Sequence, residues 1–111
     1  MKKLLLILLC LPMIGFGQNV NIPDANFKVY LVGNTEINTN GDSEIQVSEA
    51  SAFNGEIYCV GLNISNLTGI EAFAALTTLI CSTNNLTSLD VTGCTALTTL
   101  FCNFNNLTSL D

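Results

Sequence analysis

The apolar positions of this chain follow three rhythms in succession. From Leu4 to about Ile14 they run almost unbroken, behind Met1-Lys2-Lys3 and ahead of Gly15-Phe16-Gly17-Gln18. A basic start, a short apolar stretch and small residues at a cleavage point describe a secretory signal peptide, cut after Gly17. The stretch is shorter than the roughly 20 residues that a membrane span needs. From Pro23 the rhythm is helical. Phe27, Tyr30 and Leu31 fall at i, i+3 and i+4 and form one apolar face. Pro23 suits the first helical position, Asp24 puts negative charge at the positive end of the helix dipole, and Gly33-Asn34 ends the helix. A second short helix is expected from about Val47 to Phe53. Beyond Glu56 the rhythm changes again: Ile64, Leu67, Ile70, Phe73, Leu76 and Leu79 recur every three residues, a spacing that suits a tight return of 3₁₀ character.

Residues 76–111 then say the same thing twice. Leu76-Thr77-Thr78-Leu79-Ile80-Cys81 returns as Leu97-Thr98-Thr99-Leu100-Phe101-Cys102. Asn85-Leu86-Thr87-Ser88-Leu89-Asp90 returns as Asn106-Leu107-Thr108-Ser109-Leu110-Asp111, again 21 residues on. A degenerate earlier copy aligns Ile57-Tyr58-Cys59 with Leu79-Ile80-Cys81 at an offset of 22. A fixed period of this size is the signature of a solenoid. Each copy reads L-x-x-L-x-C-x-x-N-x-L, the leucine-rich repeat with Cys in one leucine slot. The expected architecture is therefore an α/β solenoid of leucine-rich repeats. Parallel strands line its concave face, and short helices cap its first turn, whose apolar side would otherwise meet water. The chain divides into a signal peptide (1–17), an EF-hand-like helical cap (18–55) and about two and a half repeats (56–111). With no closing cap, it reads as a fragment of a longer repeat protein or an unusually short member.

Leu62-Asn63-Ile64-Ser65-Asn66-Leu67-Thr68-Gly69-Ile70-Glu71 resembles the 22-residue repeat of secreted bacterial leucine-rich-repeat proteins, the internalin-like group in particular. The Leu-Thr-Ser-Leu-Asp copies look like the 21-residue variant common in surface proteins of Bacteroidota. Internalins carry an EF-hand-like helical cap ahead of their repeats, which matches residues 23–53 in kind. The resemblance implies a secreted or cell-surface binding protein that attaches to a protein or glycan through its concave face. It implies no particular ligand.

Most of the remaining signals have an architectural explanation. Cys59, Cys81 and Cys102 share the same inward slot in successive turns. Neighbouring parallel strands lie about 4.8 Å apart, slightly beyond the usual Cβ separation of a disulfide at about 3.5–4.5 Å. A buried ladder of free thiols is expected, with Cys94 on the return side. Asn84 and Asn105 occupy the repeat's asparagine slot, where the amide satisfies backbone groups left unpaired as the strand bends away. Leu62 holds that place in the first turn.

Two constellations remain as candidate sites. If Leu79/Cys81 and Leu100/Cys102 point inward, then Ile80, Ser82, Phe101 and Asn103 point out, as does Tyr58 in the first turn. Tyr58-Ile80-Phe101 then forms an apolar column on a surface that should be polar, and Phe104 extends it. Exposed apolar patches of this kind mark contact sites. The second constellation is the 12-residue stretch from Asn38 to Glu49. Asn38, Asn40, Asp42 and Glu44 take positions 1, 3, 5 and 7, Ile45 position 8 and Glu49 position 12, the ligand spacing of an EF-hand calcium loop. Asn38 stands where Asp is usual, and Ser43 where a sharp turn favours Gly. Calcium would accordingly bind in the weak extracellular range, roughly 10⁻⁴–10⁻³ M, or the loop keeps its shape without the ion.

Charge narrows the partners. Without residues 1–17 the chain has Lys28 alone against nine acids, a net charge of −8, with no Arg and no His. Nucleic acid and anionic membrane surfaces would be repelled. The commonest general base and the usual oxyanion clamp are both missing, so no catalytic residue, no required cofactor and no enzymatic activity are expected. The sequence points to a non-enzymatic recognition module. Its alternatives are the N-terminal spacer of a larger secreted protein and a weak calcium-binding module.

Overall fold

The computed structural model describes residues 18–111, and the expected signal peptide lies outside the described residues. Helix α1 spans Ala25–Val32. Asp24 is its N-cap: the residue is extended (φ −80°, ψ 119°), and its side chain accepts from Phe27 N at 3.0 Å. Pro23 therefore precedes the cap instead of opening the helix, because a carboxylate that must reach the third helical amide has to stand outside the first turn. Phe27 and Leu31 are fully buried. Gly33 closes the helix, its N–H donating to Val29 O at 3.0 Å.

Helix α2 covers Val47–Ala52. Glu49, three residues past the N-cap Gln46, reaches back to accept from Gln46 N at 3.0 Å, half of a capping box. Phe53 is the extended C-cap, and its ring packs edge-on against Phe73 with centroids 6.5 Å apart.

Five short strands follow: β1 (Glu56–Tyr58), β2 (Thr78–Ile80), β3 (Ser88–Leu89), β4 (Thr99–Phe101) and β5 (Ser109–Leu110). β1, β2 and β4 form one parallel sheet in that order, with Ile57, Leu79 and Leu100 in register. The offsets of 22 and 21 in the sequence are this register. β3 and β5 pair in a second parallel sheet, Leu89 opposite Leu110. A 3₁₀ helix at Ile70–Ala72 lies on the return path, where the threefold apolar spacing places it.

Between the two sheets the side chains stack by turn. Ile57, Cys59 and Ile64 of the first turn and Leu79, Cys81 and Leu86 of the second have no exposed surface. Their counterparts in the third turn, Leu100, Cys102 and Leu107, are only partly buried. At about 1.5–3 kcal/mol for each fully buried aliphatic side chain, the first two turns and the cap hold most of the stabilising burial.

The cap is fastened to the first turn by polar contacts as well as packing. Asp24 accepts from Ser65 N through its second oxygen at 2.9 Å, and Asn26 Nδ2 donates to Asn63 O at 3.1 Å. Tyr30 Oη accepts from Tyr58 N at 2.9 Å. That last bond satisfies a donor on the outer edge of β1, the edge most open to pairing with another chain. At Gly69 (φ +112°) an added Cβ would lie 2.9 Å from Ile22 Cγ1 and 3.0 Å from Asn21 O, so only glycine lets the N-terminal segment approach the repeat this closely.

Candidate functional site

The asparagine slot is structural, as its chemistry requires. Asn84 Oδ1 accepts from Leu62 N and Ile64 N, both at 3.0 Å. Its Nδ2 donates to Cys59 O at 2.8 Å, Cys81 O at 3.0 Å and Ser82 O at 3.2 Å. Asn105 repeats the pattern one turn on, accepting from Leu86 N at 2.9 Å and donating to Cys81 O at 3.0 Å and Cys102 O at 3.1 Å. Each amide thus stitches its own turn to the one before it.

All four cysteines of residues 18–111 are free thiols. Burial, and secondarily the neighbouring thiol, pushes Cys59 and Cys81 up to about 12. They are protonated, apolar fill rather than nucleophiles. Cys94 Sγ donates to Ile70 O at 3.2 Å, and burial raises its pKa, with Glu71 and Asp90 adding to the shift.

The strands place the candidate contact residues as follows. Tyr58, Ile80 and Phe101 are in register across β1, β2 and β4. Tyr58 is 57% exposed and Phe101 55%, with Ile80 half-buried between them. Phe104, just past β4, is 76% exposed. Asn103 is exposed too. Ser82 departs from expectation. It is buried, and its hydroxyl donates to Asn103 Oδ1 of the next turn. Strand alternation alone would turn it outward, but β2 ends at Ile80 and the side chain is covered by the third turn. Ser82 is therefore covered, and the candidate contact residues that keep exposed surface are Tyr58, Ile80, Phe101, Asn103 and Phe104.

Sequence reasoning overlooked Tyr30. It belongs to the apolar face of α1, yet its hydroxyl meets the backbone of Tyr58 and so supports the first member of the column. The signal was available: a phenol, not a phenyl ring, on a buried helix face normally needs a polar partner. Desolvation by burial raises its pKa.

The loop from Asn38 to Glu49 brings most of its candidate ligands together. Asn38 Nδ2 donates to Val32 O at 3.0 Å and Asp42 O at 2.7 Å, while its Oδ1 is buried without a hydrogen-bond partner. Asp42 accepts from Glu44 N at 3.1 Å, Gln46 Nε2 at 2.9 Å and Asn40 Nδ2 at 3.2 Å. These bonds, the Glu44 amide first, hold its carboxyl below the usual carboxylate range. Glu49 accepts from Gln46 N, and from Thr39 Oγ1 and Asn40 N at 3.2 Å each. Glu44 is set apart, paired with Lys28 Nζ at 2.8 Å. Gln46, not among the expected ligands, is therefore central to the loop. Among the described residues no three His, Cys, Asp or Glu side chains converge as a metal-binding group. No helix among them is long and apolar enough to cross a membrane.

No protein-family model and no curated protein matches this sequence. Among solved structures the fold is similar to that of an internalin from Listeria monocytogenes, with a TM-score of 0.63 and 19% identity over 84% of this chain. The match takes in 31% of the internalin chain, so the present sequence spans about a third of that protein's length. At this identity the likeness is one of fold, and the fold it supports is leucine-rich-repeat-like and internalin-like.

Proposed function

We propose that this chain is an exported, non-enzymatic leucine-rich-repeat module that binds a protein partner on the concave face formed by β1, β2 and β4. The observation that carries this reading is the in-register column Tyr58-Ile80-Phe101, whose outer members are each more than half exposed. The solvent face of a sheet is ordinarily polar, and aromatic side chains at the centre of a surface are the usual anchors of protein–protein binding. The internalin-like fold agrees with a binding role.

The test is to replace Tyr58, Ile80 and Phe101 together by Ser and probe an array of extracellular proteins with both forms. The variant should keep its circular dichroism spectrum and lose the wild-type binders. Retention of those binders would remove the assignment and favour a spacer role within a longer protein, for which this face does nothing.

A weak calcium site at Asn38, Asn40, Asp42 and Glu49 is a second reading, favoured by the buried and unpartnered Asn38 Oδ1. A buried carbonyl oxygen without a donor is costly unless a cation or another donor completes it. Calorimetry with millimolar calcium should then release heat and raise the unfolding temperature, and Asn38→Ala should abolish both. Identical thermograms with and without calcium would end this reading.

A further inference from the structure

The thiol ladder has a geometry that its part in core packing leaves unused. Cys59 and Cys81 continue the register of β1 and β2: Cys59 N donates to Ile80 O at 2.9 Å, and Cys81 N to Phe101 O at 2.8 Å. Neither residue has exposed surface. Asn84 Nδ2 donates to both of their carbonyls, Cys59 O at 2.8 Å and Cys81 O at 3.0 Å. The two backbones are thus clamped one strand spacing apart at the cysteines themselves. After burial, the Cys81 thiol is the next influence raising the pKa of Cys59, which sets the two side chains within electrostatic reach of each other.

A spacing of about 4.8 Å is too wide for a disulfide, whose Cβ atoms approach to about 3.5–4.5 Å. It suits another bridge. A metal–thiolate bond is about 2.3 Å long, so an ion held in line between two sulfurs spans about 4.6 Å. Zinc is the wrong occupant, because it takes four ligands and no three His, Cys, Asp or Glu side chains converge among the described residues. Charge narrows the choice further. The neighbouring inward side chains Ile57, Ile64, Leu79 and Leu86 are apolar and fully buried, and Lys28 is engaged with Glu44. A net charge in such an interior is costly. Two thiolates cancel a divalent ion, whereas a monovalent one would leave a buried negative charge. Thiolates also select soft metals.

We propose that Cys59 and Cys81 form a two-coordinate site for a soft divalent cation, of which mercuric ion is the type, held in line between the two sulfurs. On binding, both S–H bonds break, the two protons pass to solvent and two metal–sulfur bonds form, with no change of oxidation state. The pair lies in the first two turns, and Asn84 fixes its spacing before the ion arrives.

The test uses the full chain carrying Cys10→Ala, Cys94→Ala and Cys102→Ala, so that Cys59 and Cys81 are its only thiols. It is refolded from urea with one equivalent of mercuric chloride, so that burial does not bar the ion's entry, and then dialysed against excess free cysteine. One ion per chain should be retained, with X-ray absorption showing two sulfur ligands at about 2.3 Å. The unfolding temperature should rise, because the folded chain holds the pair together while the unfolded chain must close a loop to do so. A further Cys59→Ala or Cys81→Ala should weaken retention against cysteine by about 10²–10⁴-fold, the advantage of a second ligand on the same chain. Zinc should leave the unfolding temperature unchanged, and silver(I) should raise it less than mercuric ion does. An ion bound through one sulfur, retention no better than in the single-thiol variants, or a fall in the unfolding temperature would each overturn the site. If the three-alanine chain does not fold, the Cys10→Ala chain takes its place: its first equivalent of ion should show two sulfur ligands, and one sulfur would overturn the proposal there as well.

Discussion

Asn84→Ala is the sharpest probe of how the turns are held together. The substitution removes five hydrogen bonds, but its effect depends on which groups are left with nothing. Cys81 O keeps the bond from Asn105 Nδ2, and Ser82 O keeps that from Gly61 N. Leu62 N, Ile64 N and Cys59 O lose the partner that Asn84 provides. At about 1–3 kcal/mol for each buried group left unsatisfied, and with Leu62 N closest to water, the loss is about 3–5 kcal/mol. A domain of this size has a total stability of about 5–14 kcal/mol, so the variant retains a fraction of it or fails to fold. Asn105 is the internal control. It makes the equivalent donor contacts but accepts from Leu86 N alone, in a part-buried setting, and Cys81 O retains Asn84 when it is removed, so Asn105→Ala should cost only about 1–2 kcal/mol. Asn84→Asp should be no milder than Asn84→Ala, because it sets a carboxylate oxygen against carbonyls that the amide now serves as donor. Urea unfolding followed by circular dichroism, with linear extrapolation, measures all three. In temperature the gap between the alanine variants, about 1–4 kcal/mol, should be at least about 4 °C, at about 4–8 °C per kcal/mol. Equal losses at the two sites, or an Asn84→Ala loss below about 1 kcal/mol, would refute the account of the asparagine as inter-turn stitch.

Two further outcomes follow from the interior. Cys59 and Cys81 have pKa values raised to about 12, above an unfolded value near 9, so their contribution is fully present below pH 9 and is lost as pH rises toward 12. In that window the unfolded state binds fewer protons, and stability should fall by about 1.4 kcal/mol per pH unit for each thiol, a decline made shallower by the double change to Ala. At pH 8 a thiol reagent should modify half-buried Cys102 in the native protein and reach Cys59 and Cys81 only on unfolding. At Gly93 an added Cβ would fall 2.5 Å from Glu71 O, a backbone atom that cannot step aside, so Gly93→Ala should destabilise by about 1–3 kcal/mol in the same urea assay.

What could be read from the sequence was whatever the repeat made periodic. The strand register is the 22- and 21-residue offset itself, since Tyr58, Ile80 and Phe101 are both aligned copies and hydrogen-bonded neighbours. The inward thiols and the reach of Asn84 into the preceding turn follow from the same alignment. What escaped was whatever depended on one turn touching another or on the cap. Ser82 alternates outward by strand logic and is covered by Asn103, a contact that no single-strand pattern contains. Asp24 caps α1 from outside and also holds Ser65 N, a double duty that spans 41 residues and left Pro23 beyond the helix. The β3–β5 pairing was missed because two-residue strands carry too few positions to show a period of two. In the loop, ligand spacing included Glu44, which instead pairs with Lys28, and gave no sign that Gln46 and Asn40 amides would meet Asp42.

These two kinds of position also separate scaffold from function. Of the residues that repeat, Leu79, Cys81, Asn84, Leu86 and Leu89 of the second turn are buried, and Asn84 and Asn105 are bonded across turns. Between the second and third turns the residues that differ include Ile80/Phe101, Ser82/Asn103 and Thr83/Phe104, the first pair in register on the sheet. At these left-handed positions glycine and asparagine cost least, and successive turns carry Gly61, Thr83 and Phe104 there. If neither side chain contributes to the fold, Thr83→Gly and Phe104→Gly should each raise the urea midpoint; a fall at either position would show that the side chain stabilises its turn by more than its backbone conformation costs.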